Sequence, residues 1–120
     1  MKNYNDLKIL QKSFENLSIS ESEKIQKEIL SEVLKHNNCL NYCSLYGYHE
    51  EAVCIGKESN EYIVYNGEKG NKYQLKKHSN ITDAIFDIIS RLSESDEVRT
   101  KIHNEFVEML TKRLSNHNHP

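Results

Sequence analysis

Residues 61–75 read EYIVYNGEKGNKYQL, and this stretch decides the fold because two β-prone runs flank a segment that contains two glycines. Val, Ile and Tyr favour strands, and glycine adopts the backbone conformations that tight turns require. The stretch therefore predicts a β-hairpin, with strands at 61–65 and 72–77 and a turn through residues 66–70.

The rest of the sheet is predicted around this hairpin. In the return strand, alternation places Tyr73 and Leu75 inward and the lysines outward. An apolar run, AVCI, predicts a further strand at 51–57, joined to the hairpin by a turn at 58–60. These three strands form an antiparallel meander, and residues 42–48 are a candidate fourth strand at its edge.

Apolar residues at three- and four-residue spacing predict helices on both sides of the strands. Ser20 and Glu23 have the spacing of a capping box, in which each side chain bonds a free backbone N–H at the start of a helix. Asn80 caps the first helix after the sheet, with Asp83 in its first turn. The predicted helices are 3–17, 21–36, 81–92 and 96–114, followed by a frayed tail at 115–120.

The order of these elements predicts an α+β fold in a single domain, residues 1–120. N-terminal and C-terminal helices flank a small antiparallel sheet of three strands, or four with the candidate edge strand. Hydrophobic residues make up 37% of the chain and charged residues 28%, which is sufficient for one core. The sheet face away from the helices is expected to be partly open, with its edges available for pairing.

The N-terminal sequence MKNYNDLKILQKSF has neither the long apolar run nor the small-residue cleavage site of a signal peptide. No stretch approaches the roughly 20 apolar residues that a membrane helix needs. Three cysteines, Cys39, Cys43 and Cys54, fit reduced thiols better than a disulfide framework. These features predict a cytoplasmic protein.

Four residues have the chemistry of a zinc site. His36, Cys39, Cys43 and His49 stand as H-x2-C-x3-C-x5-H, and zinc prefers thiolate and imidazole ligands. The C-x2-C pair that makes zinc ribbons recognisable is absent, so the cysteines are better explained as small buried hydrophobic residues. The sequence therefore predicts no metal, and a site built from these four residues is an alternative.

Catalytic chemistry finds little support in the sequence. Cys54 lies in an apolar run and is expected to be buried and inert, and Cys43 near His49 would lack an orienting group and an oxyanion site. Glu50 and Glu51 would face opposite ways on a strand, so they do not pair across a cleft. We predict that the protein is not an enzyme, with no catalytic residue and no cofactor.

A basic run beside a tyrosine suggests a different binding chemistry. Lys72, Lys76, Lys77 and His78 lie close to Tyr73 in the sequence, and basic residues interleaved with aromatic ones hold single-stranded nucleic acid. The formal net charge of −2 lacks the basic excess expected of such proteins. A small nucleic-acid-associated regulatory protein is therefore the alternative function.

A recognition surface is the strongest functional candidate. Six of the seven tyrosines lie between Tyr42 and Tyr73, and several glutamates lie in the same region. Tyrosine gives a large contact area and keeps a hydroxyl for a hydrogen bond, while carboxylates suit a basic partner. The predicted partner-binding residues are Tyr46, Tyr48, Glu50, Glu58, Glu61, Tyr65 and Glu68.

Two segments resemble a known group of proteins. EAVCIGKESNEYIVYNGEKGNKY at 51–73 and ITDAIFDIISRLSES at 81–95 combine a short strand with a cysteine, a VY-x-GE-x-G hairpin and a helix closing in RLS-x-S. This pattern resembles small immunity proteins of bacterial polymorphic toxin systems, including contact-dependent growth inhibition. The resemblance implies a bacterial protein that binds a cognate toxin domain, often a nuclease, and blocks or distorts its active site. It carries over no catalytic residue.

Overall fold

The computed structural model describes residues 17–117, which form an α+β fold. The predicted helix at 3–17 lies outside these residues except for Leu17, and so do residues 118–120 of the predicted tail. In chain order, the elements are helix α1 (Ile19–His36), a short 3-10 helix (Leu40–Tyr42), strands β1 (Cys43–Ser44), β2 (Ala52–Glu58), β3 (Glu61–Glu68) and β4 (Asn71–His78), and helices α2 (Ile81–Arg91) and α3 (Asp96–His117).

The sheet has four strands in the order β1-β2-β3-β4. The predicted meander is confirmed, because β2 pairs antiparallel with β3 and β3 with β4. The prediction of a purely antiparallel sheet is wrong, because β1 pairs parallel with β2, with Cys43 opposite Val53 and Ser44 opposite Cys54. The candidate edge strand at 42–48 is thus only two residues long, Cys43–Ser44.

The turn of the hairpin lies later in the chain than predicted. Pairing continues to Glu68 opposite Asn71, so the turn is only Lys69–Gly70 and the predicted turn through 66–70 is wrong. Both turn residues have positive φ, 52° and 80°, as a two-residue type I′ turn requires. This geometry matches the twist of the two strands, which lets the hydrogen-bonded ladder run to its end.

A β-bulge changes which residues of β4 face the helices. Gln74 has a φ of 51°, and the register shifts between Val64 and Asn66, so two residues of β4 lie opposite Tyr65. Tyr73 and Leu75 are 44% and 40% exposed, so the prediction that they are inward-facing core residues is wrong. Tyr73 precedes the bulge and pairs with Asn66 on the helix face, so the bulge in this edge strand changes the alternation only for Leu75.

The helix starts were predicted with mixed success. α1 begins at Ile19, and the hydroxyl of Ser18 accepts a hydrogen bond from the backbone N–H of Glu21 at 3.1 Å, so the predicted capping box from Ser20 is wrong. Asn80 caps α2 as predicted, accepting from the N–H of Asp83 at 2.9 Å. α3 continues to His117, three residues beyond its predicted end at 114.

The main core lies between the three helices and one face of the sheet. A buried polar cluster fixes how α1 meets α2: the amide of Gln26 donates to the Ser22 hydroxyl at 3.1 Å, and the Thr82 hydroxyl donates to the Gln26 amide oxygen at 3.0 Å. Within residues 17–117, no helix has the length and apolar content needed to span a membrane. The core includes Leu30, Val33, Tyr62, Val64, Ile85, Ile88, Phe106 and Leu110.

Candidate functional site

The loop between β1 and β2, residues 45–51, folds over the sheet face that the helices leave free. It first follows β2, where the N–H of Gly47 donates to the Ile55 carbonyl at 3.0 Å. Gly47 then takes a φ of 104°, a conformation that favours glycine, and the chain turns back across the sheet. A second cluster of buried residues lies on this face, formed by Ala52, Cys54, Ile63 and Tyr65.

Gly67 lets the loop approach β3 closely. A Cβ atom at this position would lie 2.3 Å from the carbonyl oxygen of His49, 3.2 Å from the ring of Tyr48 and 3.3 Å from the sulfur of Cys54. The Cys54 sulfur lies 3.4 Å from both the N and the O of His49. Glycine is therefore required here for the space it leaves, because any side chain would displace the loop.

Tyr48 and Glu50 join this loop to the Lys69–Gly70 turn. One carboxylate oxygen of Glu50 accepts from the Lys69 N–H at 2.8 Å, and the other accepts from the Gly70 N–H at 2.7 Å and the Tyr48 hydroxyl at 2.5 Å. The Tyr48 ring stacks on Tyr65, with ring centroids 6.4 Å apart. Loop, turn and strand are thus held as one unit.

The protonation behaviour of this pair follows from these contacts. The hydrogen bonds from the Tyr48 hydroxyl and from the N–H groups of Gly70 and Lys69 hold the pKa of Glu50 below its ordinary value. Burial and the hydrogen bond to Glu50 raise the pKa of Tyr48. The carboxylate therefore stays charged and the hydroxyl stays a donor at neutral pH.

The predicted partner-binding residues separate into two groups at opposite ends of the sheet. Tyr48, Glu50 and Glu68 lie at the Lys69–Gly70 turn. Glu58 and Glu61 lie beside the other turn and are paired across β2 and β3. Since β3 has eight residues, the two ends are about 23 Å apart at roughly 3.3 Å per residue. The seven residues therefore do not form one continuous patch.

Tyr46 and Tyr65 have opposite environments. Tyr46 is 86% exposed, with the Lys27 ammonium 5.0 Å from its ring centroid. Tyr65 is 2% exposed, so the prediction that it lies on the surface is wrong. The ring of Tyr48 and the side chain of Lys72, whose nitrogen lies 5.1 Å from the ring centroid, cover it.

A surface cleft of about 380 Å³ lies beside the Lys69–Gly70 turn. It opens between the end of the β1–β2 loop and the C-terminal end of α2. Tyr42, at its edge, is 58% exposed. Sequence reasoning did not select this cleft: Tyr42 and Glu51 stand in the tyrosine-rich region, but Arg91 comes from a helix that begins after the sheet. We call it the turn-end cleft, with Tyr42, Glu51, Asn66, Glu68, Arg91 and Leu92 among its lining residues.

The Arg91 guanidinium in this cleft is neutralised within the fold. Its Nε donates to one carboxylate oxygen of Asp87 at 2.8 Å and a second nitrogen donates to the other at 3.2 Å. His78 bonds the same carboxylate at 2.7 Å. Burial alone would raise the pKa of Asp87, but the hydrogen bonds from Arg91 and His78 hold it below its ordinary value. Asp87 therefore stays charged and holds the end of β4 against α2.

The proposed zinc ligands have separate environments. Within residues 17–117, no group of three or more His, Cys, Asp or Glu side chains is arranged to hold a metal ion. His36 is exposed at the end of α1, Cys39 is buried, and the Nδ1 of His49 lies 2.8 Å from the Glu50 carbonyl. Burial raises the pKa of the Cys43 thiol to about 12. At neutral pH this thiol is protonated, which does not suit a nucleophile.

The basic run of β4 is divided between the two faces of the sheet. Lys72 and Lys77 pair with Gly67 and Ile63 and so share the loop-covered face, whereas Lys76 pairs with Val64 on the helix face. Lys77 also forms an ion pair with Glu58, at 3.7 Å. The lysines therefore do not line one basic track.

Comparison of the chain with protein-family models, curated proteins and solved structures finds no match. What the surface binds is therefore inferred from its own chemistry. This end of the sheet combines a tyrosine on a fixed loop, exposed carboxylates and an adjoining cleft. Such a combination is typical of sites that recognise another molecule.

Proposed function

We propose that this protein is an immunity protein, which binds a cognate bacterial toxin domain and neutralises it by stoichiometric protein–protein inhibition. The observation that carries the proposal is the attachment of the β1–β2 loop to the Lys69–Gly70 turn through Tyr48 and Glu50. A surface that is already ordered loses little conformational entropy on binding, which favours tight inhibition. The turn-end surface consists of Tyr42, Tyr48, Glu50, Glu51 and Glu68.

The charge of this surface fits a basic partner. Glu51 and Glu68 are exposed, and neither forms a salt bridge with another residue in the part of the chain from 17 to 117. A nuclease toxin carries cationic side chains because its substrate is a polyanion. Carboxylates that meet those side chains steer the encounter and occupy the substrate's place. A nuclease is therefore the proposed class of toxin.

Co-expression tests the function directly. The product of the neighbouring gene is produced in bacteria with and without this protein, and growth is measured. We expect growth arrest without the protein and rescue with it, together with a 1:1 complex on size-exclusion chromatography. Absence of rescue and of any complex would contradict the proposal.

Matched double variants test which end of the sheet binds. The proposal leaves Glu58 and Glu61 out of the surface, because they lie about 23 Å from the turn-end residues. Glu51→Gln with Glu68→Gln should weaken the complex about tenfold or more, and Glu58→Gln with Glu61→Gln should weaken it far less. The reverse order would place the interface at the other turn.

The alternative function, a nucleic-acid-associated regulatory protein, has less support. It would use Lys72 to His78 with the hairpin tyrosines, but the lysines are divided between two faces and Tyr65 is buried. Fluorescence anisotropy with single-stranded DNA and RNA at low salt separates the two functions. Binding that weakens steeply with salt and is lost in a Lys72→Ala, Lys77→Ala variant would favour the alternative.

A further inference from the structure

The turn-end cleft stands at a place where three sources of negative potential meet. Glu51 and Glu68 supply two carboxylates at the same end of the sheet, since Glu51 directly precedes β2 and Glu68 is the last residue of the neighbouring β3. Arg91 and Leu92 bring the C-terminal end of α2, where the Leu92 N–H bonds the Ile89 carbonyl at 3.3 Å and closes the last turn. The final carbonyl groups of a helix carry a partial negative charge, which favours cations within the last turn.

Arg91 does not cancel this potential. Its guanidinium donates two hydrogen bonds to the Asp87 carboxylate, so the pair is neutral as a unit. Its third nitrogen donates to the side-chain oxygen of Asn66 at 3.4 Å, which further fixes its position. With the Arg91 charge balanced by Asp87, the negative potential of the cleft comes from Glu51, Glu68 and the C-terminal end of α2.

The lining of the cleft favours a planar cation. Tyr42, whose side chain is 58% exposed, supplies an aromatic ring to this lining. A guanidinium stacks on such a face and donates to carboxylates through a fixed fork, whereas an ammonium offers only a compact point charge. An arginine side chain therefore fits this lining better than a lysine.

We infer that the turn-end cleft binds an arginine side chain of the partner protein, between Glu51, Glu68 and the ring of Tyr42. The inference rests on the proposed function in that it names the group by which the toxin domain is held. An arginine buried in such a cleft would act as the anchor of the interface, with the surrounding tyrosines and carboxylates excluding water.

Titration with N-acetyl-arginine amide tests the cleft without the toxin. Amide shifts of ¹⁵N-labelled protein are followed by NMR, with N-acetyl-citrulline amide as an uncharged probe of the same shape and N-acetyl-lysine amide as the compact cation. We expect saturable shifts at Glu51, Asn66 and Glu68 with a dissociation constant on the order of 10 mM, weaker shifts with lysine and none with citrulline. Equal shifts with citrulline, or no shifts at the cleft, would overturn the inference.

Two double variants complete the test. Glu51→Gln with Glu68→Gln should weaken arginine binding at least about fivefold, and Glu58→Gln with Glu61→Gln should leave it unchanged. These glutamates are exposed and the substitution keeps their size, so we expect the fold to stay intact, and the spectra of the variants check this. Equal arginine binding by both variants would overturn the inference.

The titration tests the arginine site and the co-expression assay tests the proposed function, so either result can be negative while the other is positive. If the protein rescues growth but shows no arginine-specific shifts at the cleft, the proposed function stands and the inference is wrong. If the cleft binds the arginine probe in the expected way but no toxin is neutralised, the cleft assignment stands and the proposed function is wrong.

Discussion

The two hairpin turns at the ends of β3 are alike in sequence character but differ in how they are held. At Lys69–Gly70, the carboxylate of Glu50 accepts both backbone N–H groups of the turn. At Ser59–Asn60, the neighbouring Glu58 instead forms an ion pair with Lys77 at 3.7 Å, in which both side chains are more than half exposed. Both turns contain a residue with positive φ, and a glutamate directly precedes each of them.

The difference comes from the β1–β2 loop, which reaches only one of these ends. A short hydrogen bond that a backbone N–H donates to a carboxylate restricts motion more than an exposed ion pair does. The backbone that carries the acidic residues at the Lys69–Gly70 end is therefore held more firmly than the backbone that carries those at the Ser59–Asn60 end. A binding surface gains most from the first arrangement.

Gly67→Ala should have the largest effect, because it breaks the contact that places the loop on the sheet. The added Cβ would lie 2.3 Å from the His49 carbonyl oxygen, so the loop must move. We expect the free energy of unfolding to fall by about 2–3 kcal/mol in urea titrations. Gly56→Ala is the matched control, since its Cβ would contact Ile63 at an ordinary 3.5 Å, and its change should stay within about 1 kcal/mol. Equal losses would mean that the loop contact is not what makes Gly67 necessary.

Glu50→Gln should loosen one turn and leave the other as it is. The amide that replaces the carboxylate has a single acceptor oxygen, so one of the two turn N–H groups loses its hydrogen bond to residue 50. Hydrogen exchange at Lys69 and Gly70 should become about fivefold faster. Glu58→Gln is the matched change at the second turn, and it should leave exchange at Lys69 and Gly70 unaltered. Uniform acceleration at both turns would contradict the difference between them.

Lowering the pH should affect the Lys69–Gly70 turn and leave the Ser59–Asn60 turn unchanged. The folded-state pKa of Glu50 is lowered, so its contribution is present above the ordinary glutamate pKa and is lost as pH falls through the folded-state value. Amide shifts of Lys69 and Gly70 followed by NMR should move at a pH below the usual glutamate range. Ser59 and Asn60 should not follow this titration. A transition of the turn amides at the ordinary glutamate pKa would show that Glu50 is not held as described.

Lys77→Ala should have the smallest effect. It removes an ion pair with Glu58 whose side chains are 51% and 58% exposed. Exposed pairs of this kind contribute about 0–1 kcal/mol, and salt screens them. The change in unfolding free energy should therefore be below about 0.5 kcal/mol and should vanish in high salt. A loss comparable to that of Gly67→Ala would show that the Ser59–Asn60 turn is held as firmly as the Lys69–Gly70 turn, which contradicts the difference between them.

Local patterns predicted most of the elements. The helices α1, α2 and α3 follow from apolar residues that repeat every three to four positions, since one face of each helix must be buried. The meander follows from short β-prone runs separated by turn residues. The bulge at Gln74 was not predicted, because no glycine marks the position where φ is 51°, and the bulge changes the alternation at Leu75.

The candidate site was predicted in part. Tyr48, Glu50 and Glu68 were selected for their residue type, and the fold brings them to one turn. The selection could not separate Tyr65 from Tyr48, because both tyrosines lie in β-prone sequence and only the loop decides which one covers the other. The cleft residues Tyr42 and Arg91 were missed, because they come from segments about 50 residues apart in the chain.

The sequence by itself determined the α+β class, the antiparallel meander and the region rich in tyrosine and glutamate, because these depend on periodicity and residue type within short windows. Only the tertiary structure decided what the EYIVYNGEKGNKYQL hairpin does with its side chains. Its buried Tyr65, its anchored Lys69–Gly70 turn and its cleft all depend on a loop that returns across the sheet. Contacts of that kind join residues distant in the chain, and their geometry is set by packing and not by local propensity.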